Sequence, residues 1–359
     1  MSQSITLTSG TIFNGNPITL AVTPDTISET DKDGNPIPVA FHRVILEVNC
    51  GLGTTPTETI KLSAPVLSEP SGAINVDISS ALRTFKDSYE YKPDVVTFPL
   101  VCFNVQAYDE YMTNGIVHRS STIAIYPSSG NLRTIFGAFS DMDRFTSSKV
   151  VKDVTGLTRK PKTPQLVVVG EALVYAVPYS SPQNLTASRS LAAPKSKILN
   201  IVSTGSATVS DLSYFALPAE EAINRKTFRF INAFGVMESI NVPLAHTKKF
   251  SAKSETYAAT RQETFTQFSR SVIRKQNNRE TWAFISDPLT EEWLYWYLHE
   301  FLMSEHVWMQ VTVPGTSTVK WLPVTITPED NITMYDRTKP DSYTVSFSVQ
   351  LDINGSPLL

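Results

Sequence analysis

The sequence predicts a mainly β protein: tandem β-sandwich-like domains followed by a C-terminal α+β domain with one helix at about residues 288–302. Three observations predict it. Short alternating or β-branched runs recur through the first third of the chain, with turn signals between them. Charged residues make up only 18% of the sequence, and Ser and Thr fill the gap, which suits strands whose outward faces accept hydroxyls and β-branched side chains. One stretch, after Asp287, carries apolar residues at sustained helical spacing.

The first domain, residues 1–127, reads as strands at 5–11, 18–22, 41–50, 57–62, 73–78, 95–106 and 116–125. Val44, Leu46 and Val48 alternate and so share one face. Asp33-Gly34-Asn35-Pro36 is a turn signal. A short helix, or helical turn, over 81–85 has Ser79 or Ser80 as its candidate cap. Tyr126-Pro127-Ser128-Ser129-Gly130-Asn131 marks the domain edge.

The second domain, residues 128–246, has loops with short strands over 132–154. A strand or hairpin follows at 165–179, turning at Gly170-Glu171. Residues 180–194, rich in Ser, Pro, Asn and Ala, form an expected long exposed loop, and 197–203 a strand. Residues 225–243 read as a hairpin: 227–232 alternates, Ala233-Phe234-Gly235 turns the chain, and 236–242 returns. Gly235 is free to take a positive φ there.

The third domain, residues 247–359, begins with a long alternating span, 250–279. Its helix has Asp287 as candidate cap and Pro288 at the first helical position. Leu289, Trp293, Trp296, Tyr297 and Glu300 follow at helical spacing, Leu294, Leu298 and Phe301 widen the stripe, and the helix ends near Ser304. Strands follow at 307–313, 320–327 and 342–352. All five tryptophans lie between Trp282 and Trp321, so this domain has its own aromatic core.

The net charge is −3 and the pI about 6.0, so no bulk positive field draws the chain to nucleic acid. The basic clusters, Arg159-Lys160-Pro161-Lys162 and residues 270–279, read as solvated faces or subunit contacts. Residues 1–10 lack the basic and apolar regions of a secretory signal, and no run approaches the ~20 apolar residues of a membrane span. Cys50 and Cys102 lie in two strand-like runs that can face each other across a sandwich, which makes a disulfide geometrically possible. Without a signal peptide the expectation is two buried thiols.

Several patterns invite chemistry and fail its spacing rules. His299-Glu300 with His306 is not H-E-x-x-H, because zinc chemistry needs the two imidazoles one helical turn apart; surface or interface histidines are expected. Gly51-Leu52-Gly53 lacks a third glycine and a following helix, so it reads as a loop. Asp31-Lys32-Asp33-Gly34 lacks the last ligand of a calcium loop. Asp141 with Asp143 and Glu220 with Glu221 are acidic pairs of the type glycosidases use, but such pairs are commonplace on solvated loops. The Trp293-Tyr295-Trp296-Tyr297 cluster is either helix core or a sugar-stacking platform, and core is the expectation. No catalytic, cofactor-binding or metal-ligating residue is therefore assigned, and no cofactor is expected.

Phe228-Arg229-Phe230-Ile231-Asn232-Ala233-Phe234-Gly235-Val236-Met237-Glu238-Ser239-Ile240 resembles an F-I-N-x-F-G-x-x-E-S hairpin signature of structural proteins of phages and prophages that infect Bacteroidetes. The C-terminal pattern is similar to tail and baseplate proteins of the same groups: a helix over 289–302, then Lys320-Trp321-Leu322-Pro323-Val324-Thr325-Ile326-Thr327, then a final strand over 342–351. Val76-Asp77-Ile78-Ser79-Ser80-Ala81-Leu82-Arg83 resembles an N-terminal element of those proteins. The resemblance implies a virion structural role: a subunit of a tail, baseplate or tail-ring assembly, forming homo-oligomeric rings with other virion tail proteins, assembled in the host cytoplasm. It implies no active site. The alternative is a carbohydrate-binding or adhesin-like β-sandwich module on a virion or cell surface. A hydrolase is the third possibility.

Overall fold

The structure is a computed structural model that describes residues 3–9, 13–66, 72–138, 157–161, 163–176, 188–209, 212–259, 270–313, 315–329, 332 and 342–352. The protein is mainly β, as its sequence predicts. The contacts define two compact units, neither of them a single stretch. One unit comprises Met1–Leu157, Val177–Lys195 and Ala233–Val236, and the other Thr158–Ala176, Ser196–Asn232 and Met237–Leu359.

The first unit is sandwich-like. Its strands are β1 (Ser4–Ser9), β2 (Thr19–Thr23), β3 (Glu29–Thr30), β4 (Pro36–Ile37), β5 (Phe41–Leu52), β6 (Glu58–Pro65), β7 (Ile74–Asp77), β8 (Leu100–Thr113), β9 (Ile116–Arg119), β10 (Ala124–Tyr126) and β11 (Leu132–Ile135), with helix α1 (Ser79–Ser88) between β7 and β8. A three-stranded sheet runs in the order β1-β2-β7. In the larger sheet β8 lies beside β5, and β5 beside β6, while the other edge of β8 pairs in turn with β9, β10 and β11. Residues 116–125, expected as one strand, break in two at Ser120. Its backbone N–H donates to Asp109 O at 2.8 Å and its Oγ to Asp25 Oδ2 at 3.0 Å, which bends the chain.

The expected alternation on β5 is present: Val44, Leu46, Val48 and Cys50 are fully buried. β8 starts only at Leu100, after Pro99, whose ring nitrogen has no hydrogen to give a ladder. Helix α1 begins at Ser79 itself, so neither serine is its N-cap. Asp77 supplies the oxygens, with Oδ1 accepting from Ser79 N at 2.9 Å and Oδ2 from Ser79 Oγ at 3.0 Å. Cys50 and Cys102 are both buried, free thiols. They sit on neighbouring strands of one sheet, Cys50 opposite Phe103 and Cys102 opposite Gly51, and not across a sandwich. Burial pushes the Cys50 thiol up to about 11 and raises that of Cys102 as well.

The second unit holds β12 (Gln165–Val168), β13 (Ala172–Ala176), β14 (Ser196–Asn200), β15 (Gly205–Val209), β16 (Leu212–Leu217), β17 (Arg225–Ile231), β18 (Met237–Pro243), β19 (Thr247–Ala259), β20 (Arg270–Ile285), β21 (Val307–Thr312), β22 (Val319–Pro328) and β23 (Ser346–Asp352). Gly170, at φ +92°, does turn the chain after β12. The expected hairpin does not form, because β12 runs parallel to β16 and β13 pairs with β14. The main sheet is antiparallel throughout, in the order β18-β17-β21-β22-β23-β20-β19. It therefore draws the hairpin at 225–243 together with the C-terminal strands.

The helix of this unit, α2 (Glu291–Trp296), starts later than expected. Leu289 is committed to a backbone bridge with Tyr343, at 2.7 and 3.0 Å, and cannot be helical. Thr290 is the cap, its hydroxyl accepting from Trp293 N at 3.5 Å, while Asp287 pairs with Arg225. The last turn, Tyr297–Leu302, widens into a π-helix. The core beneath is aromatic: Phe228, Phe230, Phe284, Trp296, Phe301 and Phe347 meet largely edge to face, Phe230 and Trp296 with centroids 5.6 Å apart. Among the described residues no helix is long and apolar enough to cross a membrane.

Candidate functional site

The hairpin β17–β18 carries the run Phe228 to Ile240 singled out in the sequence, and its construction explains most of those residues. Arg229 stands opposite Ser239, Thr227 opposite Asn241, and Phe228 opposite Ile240. Alternation therefore sends Phe228, Phe230, Ile240 and Val242 into the aromatic core. The opposite face carries polar side chains, and these too are buried. Burial obliges them to find partners. Thr227 Oγ1 donates to Glu171 Oε1 at 2.6 Å and Asn241 Nδ2 to Glu171 Oε2 at 2.8 Å. Arg225 donates to Asn241 Oδ1 and to the Asp287 carboxylate. Ser239 Oγ accepts from Val174 N at 2.7 Å, and Gln165 Nε2 donates to Ser239 O at 3.0 Å. Burial raises the Glu171 carboxyl above its ordinary value, although the bonds from Thr227 and Asn241 hold it back.

The signature's acid is Glu238, which is fully buried. Asn232 Nδ2 donates to its Oε1 at 2.8 Å, tying the two ends of the turn together. Lys160 Nζ lies 3.8 Å from its Oε2, donates to Ser239 O at 3.0 Å, and sits 5.2 Å from the Trp296 ring centroid. Burial lowers the Lys160 ammonium below its ordinary value. Next to it, Arg159 pairs with the buried carboxylate of Glu300. The expectation that this basic cluster is solvated or a subunit contact is therefore corrected at Arg159 and Lys160: both serve as internal counter-ions. Lys162 lies outside the described residues.

The four-residue turn Ala233–Val236 belongs with the first unit. There Phe234 packs on Phe13 with centroids 5.4 Å apart, and Ala138 N donates to Ala233 O at 2.8 Å. Gly235 has φ +75°, and a Cβ on it would lie 2.1 Å from Phe136 O. Both facts demand glycine.

The residues singled out for chemistry do not converge. His299 is exposed and stacks on Tyr295, Glu300 is buried against Arg159, and His306 stacks on Trp308. Among the described residues no three His, Cys, Asp or Glu side chains gather as a metal site would require. Asp31 spends its carboxylate on its own turn, Oδ1 accepting from Asn35 N at 2.8 Å and from Asp33 N at 2.9 Å; the Asn35 bond is the main reason its pKa is lowered. Gly51 lies within β5 and not in a loop, and Gly53 makes the turn beyond it at φ +92°. Glu220 and Glu221 are exposed on the 3-10 turn Ala219–Asn224. Asp141 and Asp143 lie outside the described residues, as does most of the expected loop at 180–194. Trp293, Trp296 and Tyr297 are buried in the core, and only Tyr295 of that cluster is exposed.

A cleft of ≈ 90 Å³ lies beside the hairpin, bordered by Gln165, Asn241, Asp287, Trp293 and Tyr297. It has room for a few water molecules, against the ~300 Å³ or more of ordinary ligand pockets. Among the described residues Tyr297 OH and Gln165 Oε1 are buried with no hydrogen-bond partner, and both side chains border this cleft. Burial pushes the Tyr297 phenol upward, so it stays neutral.

Apolar exposure concentrates elsewhere, on the outer edge of the larger sheet of the first unit. Ile116 and Val117 on β9 are 61% and 62% exposed, Ile125 on β10 is 51% exposed, and Ile123 just before β10 is 44% exposed. Among the described residues, β9 and β10 pair with no strand except β8. Neither sequence reading nor any motif singled out this edge; its one signal is aliphatic residues at consecutive positions, which alternation cannot bury together. No family model, no curated protein and no solved structure matches the chain.

Proposed function

We propose that the protein is a virion structural subunit of a phage tail, baseplate or tail-ring assembly that works through protein–protein contacts. The observation that carries this reading is the exposed aliphatic edge at Ile116, Val117, Ile123 and Ile125. An unpaired apolar strand edge is a template for another chain, and proteins that live as monomers blunt such edges with charge or proline. The signature hairpin adds support of a second kind. Its Asn232, Glu238 and Ser239 bond to one another's neighbourhood and to backbone, which is bracing and leaves no acid or nucleophile in an open pocket. The proposed role assigns no catalytic residue and no cofactor.

Light scattering and electron microscopy of the full chain test it. Rings or another repeating oligomer are expected, formed alone or with the products of neighbouring genes. Val117→Glu with Ile125→Glu should weaken that association while leaving the thermal midpoint within a few degrees, since surface substitutions cost little in the folded chain. A stable monomer, even with candidate neighbours mixed in, would overturn the reading.

A further inference from the structure

Lys160, Asn232 and Glu238 have a chemistry that goes beyond an ion pair. All three are buried, and all belong to the second unit. One carboxylate serves both of the others: Asn232 Nδ2 donates to Glu238 Oε1 at 2.8 Å, and Lys160 Nζ lies 3.8 Å from Oε2. Among the described residues Oε2 has no hydrogen-bond partner, so it is open to a proton. Ser239 O accepts from the amine at 3.0 Å and orients it, and the Trp296 ring centroid lies 5.2 Å from Nζ. Burial favours the neutral amine, which is the nucleophilic form of lysine. An amine and a carboxamide held by the two oxygens of one carboxylate, away from water, are the reactants and the proton carrier of an amide exchange.

We propose that Lys160 and Asn232 join in an isopeptide bond, with Glu238 carrying the protons. The Lys160 ammonium first passes a proton to Glu238. The lone pair freed on Nζ then forms a bond to Asn232 Cγ. Glu238 gives its proton to Nδ2, the Cγ–Nδ2 bond breaks and ammonia leaves, while Nζ passes its surplus proton to Glu238. Nothing is oxidised or reduced, and no co-reactant enters. The products are a secondary amide, ammonia and a neutral Glu238. Two buried charges disappear, which a dry core favours. The bond staples the segment before β12 to the residue that follows β17. It does not depend on the assembly reading.

The experiment is intact-mass spectrometry of three denatured full-length proteins: the wild type, Lys160→Arg and Glu238→Gln. The wild type should be lighter than its sequence by one ammonia, and both variants should have their full sequence masses. Proteolysis of the wild type, and of neither variant, should release a branched peptide in which Lys160 is joined to Asn232. The wild-type mass and the branched peptide decide the matter even where a variant fails to fold. A wild type at its full sequence mass would overturn the bond. So would loss of ammonia without the branched peptide, which marks a cyclic imide at an asparagine. Loss of one water, with Lys160 joined to Glu238, would make the carboxylate the electrophile and overturn the assignment to Asn232. A branched peptide retained in Glu238→Gln would remove Glu238 from the chemistry.

Discussion

Lys160 and Glu238 stand 3.8 Å apart with side chains 2% and 0% exposed, joining the segment before β12 to the start of β18. Neither charge can reach water, so each depends on the other. Removing one partner of such a pair typically costs about 3–5 kcal/mol, because the remaining charge is left buried alone. Lys160→Met and Glu238→Gln are each expected to lower stability in urea unfolding by that order. The double variant should lose clearly less than the sum of the two, since no stranded charge remains. Strict additivity would show that the two side chains do not act as a pair.

Gly235→Ala combines a left-handed backbone with a Cβ directed at Phe136 O. The expected loss is roughly 1–3 kcal/mol. Gly34→Ala is the control: its φ is +85°, but nothing lies within 4 Å of its Cβ position, so only the conformational cost of about 1 kcal/mol applies. Equal losses at the two sites would contradict the close approach.

Trp296→Ala and Trp293→Ala should each cost about 3–5 kcal/mol, as aromatic truncations in a core do. Tyr295→Ala, on the exposed side of α2, should change stability by less than about 0.5 kcal/mol. Folded tryptophan variants that had lost binding on a glycan array would instead favour the carbohydrate-binding alternative.

Glu171 gives a pH signature. Its carboxyl, at 4.5 when unperturbed, is raised in the folded chain, chiefly by burial. The folded state therefore holds its proton more tightly than the unfolded state does. The stabilisation this gives is fully present below pH 4.5 and is lost as the pH rises through the raised value. Glu171→Gln does not titrate. The stability of the wild type relative to this variant should fall from acid toward neutral pH in parallel urea titrations; a rise would reverse the sign of the argument.

Much of the fold was legible because alternation is a local property. The strands at 41–50, 225–243 and 320–327 are nearly where Val44-Leu46-Val48, the turn at Gly235 and the run at Trp321 place them. What failed depends on distant partners. Gly170 marks a turn correctly, but β16 and β14 decide what β12 and β13 pair with. Asp287-Pro288 has the composition of a helix start, yet Tyr343 claims the backbone of Leu289 and moves the cap to Thr290. Arg159 and Lys160 look like solvated charges because nothing local announces Glu238 and Glu300, one of them 141 residues from its arginine. The candidate contact edge was missed for the same reason: Ile116 to Ile125 has strand composition, and only the sheet order reveals that, among the described residues, β9 and β10 pair with no strand beyond β8.

The chain passes from one unit to the other after Leu157, Ala176, Lys195, Asn232 and Val236. During synthesis, then, the first unit is not finished when residue 157 leaves the ribosome; it waits for Val236 to close its last gap. A nascent chain that paused between these points would present unfinished β edges to its surroundings, the condition under which aggregation competes with folding. Any attempt to express either unit by cutting the gene at a single place meets the same obstacle, because no single cut separates one unit whole.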